Sequence, residues 1–331
     1  MPETERTRIL TGDVDGHPAV AAWSRINSPR ERPSQVRVLK ESRKSAVYRL
    51  QGVGAEGAVI AKRYEAQAAR LETALYRDVF PKVSAPTPRF YGSEEIAGGE
   101  FWWIFLEDGG NRTCISRSSR HQELAVRWLA ALHTSAHLLD LGSLPDAGPR
   151  HYLDYHLREG REQILGNLDN PAFSREHRRF LEEMVADLDL VASRWDEVEQ
   201  FCSRMPRTLV HGDFVPKNIR IKDRAGASVL LAFDWETAGR SVPAADIALC
   251  PDIYAYLQLV RETWPQISIE DLHGLVLYGR VFRVLASICW ETYSLASKWA
   301  AMEMKTMCYF ETELADLIRT LGWAKLRRRS G

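Results

Sequence analysis

The hydrophobic pattern changes character along the chain. Three short apolar runs, Val36–Leu39, Ala46–Leu50 and Ala58–Lys62, read as strands, with Gly52, Gly54 and Gly57 in the turn between the second and third. Ala68, Leu71, Leu75 and Val79 then recur close to the three-to-four spacing of one helix face, so Glu65–Arg77 is predicted as a helix with Glu72 near its middle. The proline-rich PKVSAPTPRFYG crosses into a fourth strand, and after Gly98-Gly99 comes an aromatic, buried-type strand, Phe101–Leu106. Within 120–138, Leu124, Trp128 and Leu132, with Ala125 and Leu129, form one helical stripe. Residues 139–150 hold Gly142, Pro145, Gly148 and Pro149 and read as loop, and 151–205 read as largely helical, anchored by Trp195 and Phe201. Strands return at Thr208–Val210 and Val229–Phe233; the polar run Arg220–Ser228, with Gly226, reads as the hairpin turn that brings the second beside the first. A helix Ile247–Val260 and two more within 271–322 follow. Residues 1–35 are polar except for Val20–Ile26, which is either a helix packed on the first lobe or a loose arm.

The last two strands each end in carboxylates. The first delivers His211-Gly212-Asp213, with Asn218 five residues on; the second delivers Asp234-Trp235-Glu236. Phosphoryl transfer to a hydroxyl needs a carboxylate that orients the nucleophile and accepts its proton, and hard oxygen ligands for the divalent metal on the nucleotide phosphates. Asp213 suits the first role; Asn218 and Asp234 suit the second. Asp213 and Asn218 lie at the two ends of one short loop, in which Pro216 fixes its own φ. Glu236 follows Asp234 by two, so on an extended segment it shares a face with it and supports the metal or the loop.

HGDFVPKN followed by FDWE resembles the catalytic core of the aminoglycoside phosphotransferase and choline kinase superfamily. The resemblance runs from about Val36 to Asp246 and is dense only at 211–218 and 234–246. It implies an α+β, two-lobed, protein-kinase-like fold with a small antiparallel sheet lobe and a larger, mainly helical one. The division expected is 1–108 for a nucleotide-binding lobe, with 1–35 a possible helical arm, and 109–331 for a catalytic and acceptor-binding lobe. Lys62, in AVIAKRY, matches the lysine that holds the nucleotide phosphates. Glu72 is its implied partner; Glu65 is second and sits too close along the chain. Leu106–Gly109 matches the hinge, where the Glu107 C=O and Gly109 N–H would bond a purine. The loop KESRKSA has no glycine where kinases have a glycine-rich phosphate clamp; Ser42, Lys44 and Ser45 are the candidates there, and Arg43 and Lys44 read equally as a solvated turn. His211 is implied as a supporting residue and His133 as a structural one. Asp246 is implied as a brace for the catalytic loop, a role compatible with its other reading as the N-cap of Ile247–Val260.

The activity implied is transfer of the γ-phosphate of ATP or GTP, with magnesium, to a hydroxyl of a small molecule. An antibiotic or related natural product is the expected acceptor. A metabolic kinase of the choline, homoserine or sugar type and a non-catalytic kinase-like binder are the alternatives. Acceptor contacts are expected from the last helices, with Asp252, Trp290 and Glu291 first. The aromatics Trp290, Tyr293, Trp299, Tyr309, Phe310 and Trp323 suit stacking on a flat or apolar ligand or caging a quaternary ammonium; Trp290 and Tyr293 read otherwise as core.

Composition narrows the classes. A chain of 331 residues suggests two domains or lobes. Balanced charge, 44 basic against 44 acidic side chains, gives no support to nucleic-acid or membrane-surface partners. No apolar run reaches the roughly eighteen residues of a membrane span, and the polar N-terminus lacks a signal-peptide core. Five scattered cysteines without Cys-x-x-Cys spacing fit a reducing cytoplasm and argue against a zinc site. The basic tail KLRRRSG reads as a solvated end.

Overall fold

The structure is a computed structural model that describes residues 8–11, 14–27, 31–298 and 300–323. The expectations for the basic tail and for Trp299 lie outside the described residues. In chain order the strands are β1 (Ile9–Thr11), β2 (Gln35–Glu41), β3 (Ala46–Gln51), β4 (Ala58–Glu65), β5 (Phe90–Glu95), β6 (Phe101–Glu107), β7 (Thr208–Val210), β8 (Ile219–Arg224), β9 (Ala227–Ala232) and β10 (Gly239–Ser241). The helices are α1 (Pro18–Ile26), α2 (Ala66–Ala74), α3 (Ser119–His137), α4 (Pro149–His151), α5 (Glu159–Asn167), α6 (Arg175–Ser193), α7 (Trp195–Cys202), α8 (Ala244–Ile247), α9 (Ile253–Val260), α10 (Ile269–Thr292) and α11 (Ala300–Thr320). By compactness the chain forms two units: Met1–Trp128 with Phe214–Glu236, and Leu129–Asp213 with Thr237–Gly331. The expected division lies at residue 108; here residues 109–128 and 214–236 group with the N-terminal ones.

The first unit is built on a six-stranded antiparallel sheet in the order β1-β2-β3-β4-β6-β5. Helix α1 buries Val20 and Trp23 in one apolar cluster with Val36, Leu50, Val59, Ala61 and Phe105. The patch Val20–Ile26 is therefore a packed helix. The Trp23 indole N–H donates to the Glu31 carbonyl at 3.0 Å, so burying the ring leaves no orphaned donor. The β2–β3 register slips between Val38 and Lys40, a bulge that re-aims Leu39 and Lys40.

The hairpin β8–β9 belongs to the same unit, and here the structure corrects the sequence reading. Arg220–Ser228 is not a turn. Ile219–Arg224 is itself a strand paired with β9 in register Ile219↔Ala232, and the turn is Ala225-Gly226, both at positive φ. The strand β7 pairs instead with β10. The alternating Ile219, Ile221 pattern was masked by the charged residues between, which reach the unit's own linker. Lys222 lies 2.8 Å from the Glu107 carboxylate and donates to the Asp108 carbonyl at 2.7 Å, while Arg224 also pairs with Glu107. Glu107 is 3 % exposed. Burial alone would raise its carboxyl; the hydrogen bonds from Lys222, the Arg89 amide and Arg224 hold it below the usual range. A buried carboxylate held by two cations ties the hairpin to the end of β6.

In the second unit β7 and β10 form a two-stranded ladder, with Val210 opposite Gly239. The expected single helix Ile247–Val260 is broken. Helix α8 ends before Cys250-Pro251, and Asp252 caps α9 by accepting the Ala255 amide at 2.9 Å. The residue before a proline is pushed out of helical φ/ψ, which explains the break. Asp246 lies inside α8 and is not the N-cap of a longer helix. Helix α10 packs on α8 so closely that a Cβ at Gly279 would sit 1.9 Å from the Ala244 carbonyl oxygen. By length and composition α10 would pass as a membrane span, contrary to the expectation that no stretch would; 56 % of that window is buried within the protein. Trp195 is buried, and Phe201 meets Tyr278 at 5.1 Å. Trp290 and Tyr293 are 41 % and 58 % exposed, which removes the core reading for both.

Candidate active site

The first unit encloses a cavity of about 400 Å³, lined from the sheet by Leu39, Lys40, Val47, Arg49, Ile60 and Lys62. Leu106 of β6, Glu72 of α2, Asp108–Asn111 and Thr113 after β6, and Lys217, Asn218, Arg220, Phe233 and Asp234 complete it. Lys62 projects into the cavity and Arg63, next in the strand, away from it, as alternation requires. The Lys62 ammonium lies 3.0 Å from Glu72 Oε2 and 2.5 Å from Asp234 Oδ1. Glu72 is fully buried and also accepts the Tyr64 hydroxyl. Burial pulls the Lys62 pKa down, but the charges of Glu72 and Asp234 outweigh it and hold the ammonium above the usual lysine value. Glu65, the other candidate partner, is exposed.

Asn218 and Asp234 are placed by the open end of the hairpin. The Phe233 amide donates to the Asn218 carbonyl at 2.9 Å, which closes the hairpin between them. Asn218 is 6 % exposed, and its amide bonds the Val215 carbonyl at the end of the short turn begun by Pro216. Asp234 has a left-handed backbone, φ +62°, uncommon for a side chain other than Asn or Asp and concentrated at functional sites. Trp235 fixes that bend: it is fully buried and packs on Phe80 at 4.6 Å.

The linker and the phosphate-loop candidates separate. Gly109 lines the cavity, and a Cβ there would lie 2.7 Å from the Phe233 ring. The Glu107 side chain faces Lys222 and Arg224. Ser42 closes a turn on itself, its hydroxyl donating to the Ser45 carbonyl at 2.9 Å and accepting the Ser45 amide at 3.0 Å. Ser42 and Lys44 are exposed and are not among the cavity-lining residues; Lys40 is. Sequence reading missed Lys40 because a bulge leaves no sequence trace. It also missed Arg49, which pairs with Asp108 at 2.7 Å; an arginine inside an apolar strand was the available signal.

The second unit holds Asp213 and its supports. Gly212 has φ +81°, and a Cβ there would meet the Thr237 carbonyl at 2.6 Å, so the turn before Asp213 requires glycine. The buried Asp246 carboxylate accepts the amides of His211 at 2.7 Å and Gly212 at 2.8 Å. It also lies 3.2 Å from His133 Nε2, while His133 Nδ1 is 2.8 Å from the Tyr256 hydroxyl. Burial would raise the Asp246 carboxyl, but His133 and His211 hold it below the usual range. His211 is fully buried, and the Asp213 amide donates to its Nδ1 at 3.3 Å. Asp213 itself lies 3.6 Å from Arg283 of α10. Nothing in the sequence pointed to Arg283, seventy residues away.

Among the described residues no cluster of three or more His, Cys, Asp or Glu side chains forms a metal cage. Asn218 and Asp234 offer hard oxygens suited to magnesium, which is commonly held by one or two carboxylates plus substrate phosphates. A family model described as the phosphotransferase enzyme family matches residues 35–271. The chain belongs to the phosphotransferase enzyme family. Three solved structures show the fold of this phosphotransferase. Choline kinase from Cryptosporidium parvum Iowa II is 13 % identical, with 89 % of this chain and 92 % of that one covered and a TM-score of 0.60. An aminoglycoside 2′-phosphotransferase in complex with GDP is 11 % identical, with 89 % and 95 % covered and a TM-score of 0.62. An aminoglycoside phosphotransferase in ternary complex with ADP and hygromycin B is 13 % identical, with 87 % and 94 % covered and a TM-score of 0.53. No curated protein sequence matches the phosphotransferase. Its fold is the protein-kinase-like one, with the antiparallel sheet and helical part that the sequence resemblance implied.

Glu236 is not among the cavity-lining residues. The face-sharing expectation assumed an extended segment, and the left-handed Asp234 breaks it. Partial desolvation raises the Glu236 carboxyl, Lys62 pulls it down, and Asp234 and Glu72 push it up again. Glu236→Gln is expected to lower kcat/KM about tenfold, in the range of a residue that supports a metal ligand. Asp234→Asn should cost more. Titrating magnesium against both variants checks the ranking; equal losses, with metal affinity abolished in each, would make Glu236 a direct ligand.

Proposed function

We propose that the protein transfers the γ-phosphate of ATP or GTP to a hydroxyl of a small molecule. The central observation is Lys62, fixed by a fully buried glutamate and reaching a carboxylate 172 residues further on, in one cavity that also holds Asn218. Lys62 binds the phosphates and Glu72 aligns it. Asn218 and Asp234 would hold magnesium, which would neutralise phosphate charge. The Glu107 carbonyl and Gly109 amide bond the purine. Asp213 orients the acceptor and takes its proton. The acceptor oxygen bonds to the γ-phosphorus as the bond to the bridging oxygen breaks, and the nucleoside diphosphate leaves. Asp246 and His211 keep the backbone before Asp213 in place. Positioning and fixed charge supply most of the acceleration.

The acceptor is an antibiotic or related natural product. The exposed Trp290, Tyr293 and Tyr309 support a bulky, partly apolar compound. Two measurements test the reading. Thermal unfolding with ATP should shift upward when magnesium is added, by about 2.7 kcal/mol of stability at a hundredfold excess over Kd; no nucleotide response would favour a non-catalytic binder. Mass spectrometry of candidate acceptors after incubation with Mg-ATP should show added phosphate on an antibiotic-class compound. Efficient phosphorylation of choline, homoserine or a simple sugar alone would replace the acceptor and leave the reaction class.

A further inference from the structure

The surroundings of Asp213 carry a charge that bears on the acceptor. Arg283 lies 3.6 Å from the Asp213 carboxylate, and the two side chains are only 18 % and 13 % exposed. From Arg283 a run of rings leads from the core of the second unit, where Phe282 and Tyr152 are buried, to the surface at Trp290. Phe282, its neighbour on α10, stacks on Tyr152 at 4.4 Å; Tyr152 meets His156 at 5.3 Å; His156 meets the half-exposed Trp290 at 6.0 Å. Trp290 lies two helical turns beyond Arg283, so both fall on one stripe of α10. Burial, with His151 nearby, pushes His156 down to about 4, so its ring is uncharged near neutral pH. The acids of the adjoining segment are engaged: Asp154 binds Arg150 and Arg158, and Glu159 accepts the Tyr293 hydroxyl.

We propose that Arg283 makes the acceptor subsite beside Asp213 select neutral or anionic ring-bearing hydroxyl compounds over polycations, with His156 and Trp290, the two rings of the run that reach the surface, taking the flat apolar part. This rests on the phosphotransfer reading above and names the substrate class for the same site. A polyamine brought to Asp213 would set its ammonium groups against a guanidinium that little water screens. A carboxylate or hydroxyl near the reacting oxygen would gain a donor from the same group.

The test uses the full chain with Mg-ATP and three probes: hygromycin B as the polycation, phenyl glucoside as the neutral ring compound and carboxyphenyl glucoside as the anion. Transfer is expected to the anion and the neutral probe at least tenfold more efficiently than to the polycation. Arg283→Gln should raise KM for the anion about tenfold or more with a smaller change in kcat. It should lower KM for the polycation, and Arg283→Lys should restore part of the original order. A purely structural role would depress all three alike, and that result overturns the proposal. So does a wild-type enzyme that uses hygromycin B best, or one that binds Mg-ATP and phosphorylates none of the three. Failure to bind Mg-nucleotide at all would instead remove the phosphotransfer reading on which the proposal rests.

Discussion

Asp213→Ala is expected to lower turnover by about two to four orders of magnitude, the range for loss of a positioned general base, with Mg-nucleotide affinity near that of the parent. The separation follows from where the groups sit. The cavity that holds Lys62, Asn218 and Asp234 does not count Asp213 among its lining residues. Asp213 is also a mostly buried partner of Arg283, so the alanine variant removes that ion pair together with the base; Asp213→Asn preserves the shape and removes the basicity. Both variants should bind Mg-nucleotide in a thermal-shift titration and fail in transfer. Full turnover in Asp213→Asn on a genuine acceptor would end the assignment.

Lys62→Met should fail in two separable ways. Loss of the phosphate-binding ammonium should cost about two to three orders of magnitude in kcat, as for removal of one preorganised charge donor. The same change leaves Glu72, wholly buried, without its cation. Stranding one member of a buried ion pair costs about 3–5 kcal/mol. The double variant Lys62→Met/Glu72→Gln removes both charges and should recover much of the stability but none of the activity. Denaturant unfolding beside steady-state kinetics separates the two effects. Recovery of activity in the double variant would show that Lys62 serves the fold and not the phosphates.

What the sequence disclosed depended on how local each signal was. The strand β4, which largely alternates, and the stripe of α3 were legible because burial on one face imposes the period, and β3 because its run is short and apolar between turn residues. The loop 211–218 and the carboxylate at 234 were legible because their chemistry is concentrated within a few residues. The hairpin was misread where Lys222 and Arg224 made a strand look like a solvated turn; their partner, Glu107, lies more than a hundred positions away. The bulge that brings Lys40 to the cavity, the left-handed Asp234 and the Arg283–Asp213 pair are products of tertiary packing. Trp290 and Tyr293 were ambiguous because an aromatic residue on a helix looks the same in sequence whether it meets a core or water.

Helix α10 also sets a limit on engineering. Exchanging a helix-interior glycine for alanine ordinarily gains up to about 1 kcal/mol, and α10 offers Gly279 as an obvious choice. The added methyl would land on the Ala244 carbonyl, two residues before the carboxylate that holds the His211 and Gly212 amides. A change meant to harden the protein would therefore be transmitted to the turn that carries Asp213. Gly166 in α5, where a Cβ meets nothing within 4 Å, is the better first choice for a thermostable variant.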